Sequence, residues 1–206
     1  MALSSHEVVR ALLGAGAVML RPDQPFTFAS GLRSPVYCDN RLLLGNVAAR
    51  RVVARAFAEH CGAAQVLAGP ATGGIPWAAW AADALDLPMA YVRAEAKAHG
   101  RGQQIEGAPV DGRQVLLLED TVSTGGSVLG AATAVRAAGA ELLGVVCIFT
   151  WGWAATNAAF AAANLPLTPL ATLDDLLAVA AHDGTLSAAQ RATVEAWASD
   201  PAAWGQ

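Results

Sequence analysis

The stretch Val115–Ser127, VLLLEDTVSTGGS, constrains this chain more than any other. Val115–Leu118 are consecutively apolar, the pattern of a strand buried on both faces of a parallel sheet. Glu119 and Asp120 follow directly, then a polar run, Thr121–Ser127, that contains Gly125 and Gly126. An Ala-rich helical pattern begins near Ser127. A strand leading through two carboxylates into such a loop and a helix start makes a cradle for a phosphorylated, polyhydroxylated ligand. The unpaired N–H groups of the loop and first helical turn attract phosphate. The carboxylates repel it; they suit ribose hydroxyls, a developing positive charge, or Mg²⁺ held partly through water. No lysine follows Gly126, so this is not a Walker A loop, and the stretch holds no G-x-G-x-x-G dinucleotide turn.

The rest of the chain predicts an α/β fold with a mainly parallel central sheet flanked by helices. Strand patterns at Gln65–Gly69, Met89–Val92, Gln114–Leu118 and Leu142–Phe149 alternate with helical ones. Those helical patterns run from an Asn46 cap to about Glu59, over Trp77–Leu85, Ser127–Ala138 and Ala154–Ala163, with a shorter one at Glu7–Leu13. Pro166–Leu170 reads as a short edge strand, and Thr172 with Asp175 and Ser187 with Gln190 have capping-box spacing for two last helices. We expect a single domain over 1–206, in which the turn-rich residues 1–45 form a small N-terminal hood or flap without a core of its own. Residues 93–110 are polar and punctuated by Gly100, Gly102 and Gly107; between core strands, such a length marks a mobile functional segment.

Charge and cysteines narrow the function classes. A net charge of −4 argues against nucleic acid as a partner, which calls for a basic stripe. The chain is 54% hydrophobic, much of it alanine, yet no apolar run approaches the ~18–20 residues of a membrane span. The start, MALSSHEVVR, lacks the basic and apolar regions of a signal peptide, so a cytoplasmic location is expected. Cys38, Cys61 and Cys147 lack metal-ligand spacing and read as reduced, packed thiols.

Lys97 is the sole lysine among 13 basic residues and lies within RAEAKAHGRGQQIEG, beside Arg93, His99 and Arg101. A compact ammonium on a flexible stem suits a single phosphate or leaving-group oxygen. His99 titrates near neutral pH and suits a proton or hydrogen bond to a departing pyrophosphate, with a structural turn contact as the alternative. Arg93 follows the strand Met89–Val92, on the side where open α/β sheets bind ligands; it would hold a diphosphate or, alternatively, a neighbouring carboxylate. Arg33 would do similar work from the hood, whereas Arg41, next to Asp39, reads equally well as structural. Trp77, Trp151, Trp153 and Tyr37 serve either base stacking or packing.

Val115–Ser127 resembles the phosphoribosyl pyrophosphate (PRPP) motif of type I phosphoribosyltransferases. Two further blocks, FTFASGLRSPVYCDNR (Phe26–Arg41) and YVRAEAKAHGRGQQIEG (Tyr91–Gly107), are similar to the N-terminal signature and the mobile catalytic loop of bacterial orotate phosphoribosyltransferases. The resemblance covers nearly the whole chain. It implies the type I phosphoribosyltransferase fold and Mg²⁺-dependent transfer of phosphoribosyl from PRPP to orotate, in pyrimidine biosynthesis. It implies a homodimer whose loops close over the neighbouring subunit's site. Lys97, His99 and Asp120 would be catalytic. Arg93, Glu119, Thr121, Val122, Ser123, Thr124, Gly125, Gly126, Ser127, Arg33, Ser30 and Gly31 would bind substrate. Mg²⁺ would sit mainly on the substrate, with Glu119 and Asp120 reaching it through water. The alternatives are transfer to another base, on which the bulky Trp77 and Trp153 bear, and a non-catalytic PRPP-sensing regulator.

Overall fold

The computed structural model describes residues 3–28, 31–95 and 104–204. The chain opens with helix α1 (Ser5–Gly14), started by a capping box between Ser4 and Glu7. Two small antiparallel pairs follow: β1 (Val18–Leu20) with β4 (Val36–Cys38), and β2 (Phe26–Thr27) with β3 (Arg33–Ser34). A 3-10 helix, Asn40–Gly45, leads to α2 (Val47–Glu59), which Asn46 caps through the Ala49 amide. Then β5 (Val66–Pro70), α3 (Ile75–Leu85), β6 (Met89–Val92) and β7 (Ile105–Gly107) lead to β8 (Gln114–Val122). The rest is α4 (Gly126–Ala137), β9 (Glu141–Thr150), α5 (Ala154–Ala162), β10 (Leu167–Thr172), α6 (Leu173–His182) and α7 (Ala188–Ser199).

The main sheet has six strands in the order β10-β9-β8-β5-β6-β7. All pairs are parallel except β6 with β7. Alternate residues of the central strands feed opposite cores, as the period of two requires. Leu67, Leu116, Leu118, Val146 and Ile148 pack with α1, α2, α3, α6 and α7. Val66, Ala68, Val115, Leu117, Val145 and Cys147 pack with α4 and with Phe160 of α5. Both faces are therefore dry, which is why these strands read as continuous apolar runs.

The expected α/β architecture is present, with one adjustment near the site. Strand β8 does not stop at Leu118. It continues through Glu119–Val122 because β9 runs on beside it, a bulge at Val115/Leu116 absorbing the one extra residue of β9, with Thr121 opposite Phe149 and Val122 opposite Thr150. At the N-terminus, Val8, Val9 and Leu12 of α1 are fully buried in the larger core.

Candidate active site

The C-terminal ends of β5 and β8 lie side by side, and their loops frame a cavity of about 380 Å³. Its wall comprises Cys38, Asp39, Asn40 and Arg41 from the N-terminal region, Ala71–Gly73 after β5, and Glu119, Asp120, Thr121 and Ser127. A smaller concavity of about 100 Å³ adjoins it, lined by Glu119, Thr121 and Ser123–Val128. Ligands of open α/β sheets bind at this end of the strands.

The smaller concavity is a phosphate-sized nest. Gly125 starts α4 with φ +83°, and a Cβ there would lie 2.8 Å from the Phe160 ring, so glycine is required twice over. No side chain caps α4, which leaves its first-turn amides to a ligand. Thr156 of α5 donates to the Ser123 carbonyl and so pins the loop from behind. Val122 differs from its neighbours: its side chain is buried in the smaller core, and its carbonyl accepts from the Thr150 hydroxyl at 2.9 Å.

The two carboxylates differ although they are adjacent. Glu119 is 6% exposed, with Oε1 accepting from the Asp120 amide at 2.9 Å. Burial pushes its carboxyl up from 4.5 to about 8, with the Asp120 charge adding to the shift and that hydrogen bond opposing it. Asp120 is half-buried and accepts from the Thr121 amide at 2.6 Å. It also presses on the β5–α3 turn, since a Cβ on Gly73 would fall 2.6 Å from the Asp120 Cγ. Among the described residues no three His, Cys, Asp or Glu side chains converge as a metal cage. A carboxylate pair facing a phosphate nest does fit Mg²⁺, which keeps several waters and takes one or two carboxylates plus substrate oxygens.

Asn40 was not anticipated from sequence. It is 2% exposed, and its Nδ2 donates to the Asp120 carbonyl at 3.1 Å and to the Thr121 Oγ1 at 2.9 Å. It thereby ties the N-terminal region to the strand end that carries the acids. Its own Oδ1 is buried without a hydrogen-bond partner. The nearby Cys38 thiol is pushed up to about 12 by burial and lies 4.0 Å from the Thr121 Oγ1, in keeping with a packed thiol.

Other expected residues are placed elsewhere or lie beyond the description. Lys97, His99, Ser30 and Arg101 are outside the described residues. Arg93 forms an ion pair with Glu106 at 3.1 Å, and Glu106 also accepts from the Tyr91 hydroxyl at 2.8 Å. Gly31, with φ +84°, turns the short β2–β3 hairpin. Arg33 lies 5.9 Å from the Trp204 ring centre and is not in the cavity wall. Trp77 packs in the larger core at 1% exposure, with ring centres 5.9 Å from Phe57 and 5.2 Å from Trp80, so it cannot touch a base. Trp153 stacks on Trp151 at 5.9 Å and faces Trp197 at 6.5 Å. This cluster borders a separate 920 Å³ groove, none of whose lining residues belongs to the carboxylate cavity.

Residues 43–157 match the model of the phosphoribosyl transferase domain family. The chain is 47% identical to an orotate phosphoribosyltransferase of Bacillus caldolyticus over 204 residues, 97% of this chain and 98% of that one. The chain belongs to the orotate phosphoribosyltransferase family. The structure of the Aeropyrum pernix orotate phosphoribosyltransferase agrees at a TM-score of 0.73 and 32% identity, over 87% of this chain and 99% of that one. That of Mycobacterium tuberculosis, solved in complex with PRPP, agrees at 0.66 and 28% identity, over 84% and 98%. Membership in this family makes the chain a phosphoribosyl-transferring enzyme. No helix among the described residues is long and apolar enough to cross a membrane.

Proposed function

We propose that the chain catalyses transfer of the 5-phosphoribosyl group from PRPP to orotate, giving orotidine 5′-phosphate and pyrophosphate. The observation that carries this is the meeting of an uncapped helix start with a carboxylate pair at one strand end. It offers donors to a phosphate and, in the adjoining cavity, acceptors to hydroxyls. The 5-phosphate would rest on Thr121 and on Ser123–Ser127, with Asp120 and Glu119 toward the ribose. The glycosidic bond to diphosphate would break as the orotate ring nitrogen bonds to the same carbon; the diphosphate would leave with the electron pair, and the proton lost from that ring nitrogen would pass to it. Carboxylates beneath the ribose stabilise the cationic character that develops there. Orotate brings its own nucleophile, so no covalent enzyme intermediate is needed.

Mg²⁺ would be held by the substrate's diphosphate and hydroxyls, with Asp120 and Glu119 reaching it through water; when bound it offsets the charge of the leaving group. Arg93, Lys97 and His99 would stabilise the departing pyrophosphate, His99 by a proton or hydrogen bond. Of residues 93–110, Ile105–Gly107 are held in the sheet as β7, and the segment before them would act as a mobile loop that excludes water. The Arg93–Glu106 pair is only part-buried, and a diphosphate, with more charge than one carboxylate, can compete for Arg93. We place 1–45 as a hood, the enzyme in the cytoplasm, and the active unit as a homodimer with loops crossing the interface. Leu42, Leu44 and Val47 support an interface here, being large, apolar and exposed together beside the cavity.

The test is an assay of the purified protein with PRPP, Mg²⁺ and a panel of orotate, uracil and purine bases, following nucleotide and pyrophosphate. Orotidine 5′-phosphate should form with orotate alone; preferential turnover of another base would overturn the assignment. Lys97→Ala should lower kcat by about 100-fold or more with an unchanged melting temperature, and near-normal turnover would remove Lys97 from its role.

A further inference from the structure

The charges of the carboxylate cavity do not match its ligand. PRPP carries a phosphate and a diphosphate, yet the cavity wall holds the acids Asp39 and Asp120 beside the buried Glu119 carboxyl. Arg41 is the one cation among the described residues of that wall. We infer that Arg41 binds the diphosphate end of PRPP, and so is a substrate-binding residue of the same reaction; the inference rests on the proposed use of PRPP.

The backbone holds Arg41 in place from both sides. Asp39 caps the 3-10 helix by accepting from the Arg41 amide at 3.2 Å, and its own amide donates to the Ala17 carbonyl at 2.7 Å. Asn40 is anchored to Asp120 and Thr121, so the residue after it is presented to the same strand end that carries the acids. The side chain itself is 74% exposed. Its Nε and Nη2 bond the two oxygens of Asp39 at 2.7 and 2.8 Å, and the Asp120 charge also acts on it. With its guanidinium largely in water, Arg41 stays open to a second anion. A planar guanidinium engages a carboxylate and a diphosphate through the same two-pronged geometry. Asp39 therefore keeps the fork parked at the cavity edge, where an arriving diphosphate takes it over. The diphosphate end is assigned because the 5-phosphate already has its own nest at the start of α4, whose lining excludes Arg41.

The experiment compares wild type, Arg41→Ala, Arg41→Gln and Arg41→Lys by KM for PRPP and for orotate, by inhibition with pyrophosphate and with ribose 5-phosphate, and by melting temperature. Arg41→Ala should raise the KM for PRPP by roughly 10- to 100-fold, the loss of a charge-assisted pair. It should weaken inhibition by pyrophosphate by a similar factor while sparing inhibition by ribose 5-phosphate. Arg41→Lys should recover part of the loss. Arg41→Gln, which can still hydrogen-bond Asp39 but carries no charge, should recover none. An unchanged KM for PRPP in Arg41→Ala, full recovery by Arg41→Gln, or equal weakening of both inhibitors would overturn the inference while leaving PRPP as substrate. A wild type that makes no nucleotide from PRPP would overturn both.

Discussion

Two loops leave neighbouring strands at the same end of the sheet, and they are built on opposite plans. The turn after β5 is closed. A Cβ on Gly69 would sit 2.8 Å from the Ile75 nitrogen, one on Gly74 would sit 2.7 Å from the Pro70 Cδ, and one on Gly73 would meet Asp120. The loop after β8 is open: Gly126 could carry a Cβ with nothing within 4 Å, and its neighbour Gly125 is constrained by φ and by Phe160. The closed turn has no room for a ligand among its own atoms and shapes the site by what it presses against. The open loop offers amides outward and leaves space before them. Glycine thus signals close packing in one loop and ligand access in the other.

Substitutions at these glycines can break the comparison. Gly74→Ala should cost the most, several kcal/mol of stability, because its Cβ meets backbone and ring atoms that cannot move aside; chemical denaturation measures this, and wild-type stability would show that the turn is not closed. Gly73→Ala meets only a carboxylate, so the fold should survive. Turnover should fall by about 100-fold as Asp120 is displaced from the geometry that the Thr121 amide sets. Kinetics alongside a melting curve separates the two outcomes.

Asn40→Ala should come next, lowering kcat/KM by roughly tenfold through loss of the tie to Asp120 and Thr121. A change in stability without a change in kinetics would confine Asn40 to the fold. The buried carboxyl gives a pH signature. Glu119 titrates higher in the folded than in the unfolded chain, so the folded state holds its proton more tightly; the contribution of Glu119 to stability is full below pH 4.5 and is lost as pH rises toward about 8. Melting temperatures across that window should fall in wild type relative to Glu119→Gln, and parallel curves would refute the shift. Gly126→Ala should do least, within about 0.5 kcal/mol in stability, since a Cβ there meets nothing.

Much of this was legible in the sequence because the central strands are apolar on both faces and the helices carry their own caps. The capping boxes at Thr172–Asp175 and Ser187–Gln190 form as spaced, and Asn46 caps α2. The polar run hid the last residues of the strand: Glu119, Asp120 and Thr121 look like loop residues, and the long neighbour β9 keeps them in the sheet. Asn40 was missed because its partners lie 80 and 81 residues away, beyond any local pattern. Trp77 stood open between packing and base contact for a related reason. It follows the glycine turn in sequence, but it enters α3 facing Phe57 and the core rather than the cavity.

The extension of β8 through the acids has one more consequence. Glu119 and Asp120 ride on a strand laddered to β9 on one side, and the Thr150 hydroxyl clasps the Val122 carbonyl beyond them. The acidic pair cannot fray as a loop would. Amide hydrogens here should exchange as slowly as those of the sheet interior, and heat should abolish activity and melt the sheet in one event.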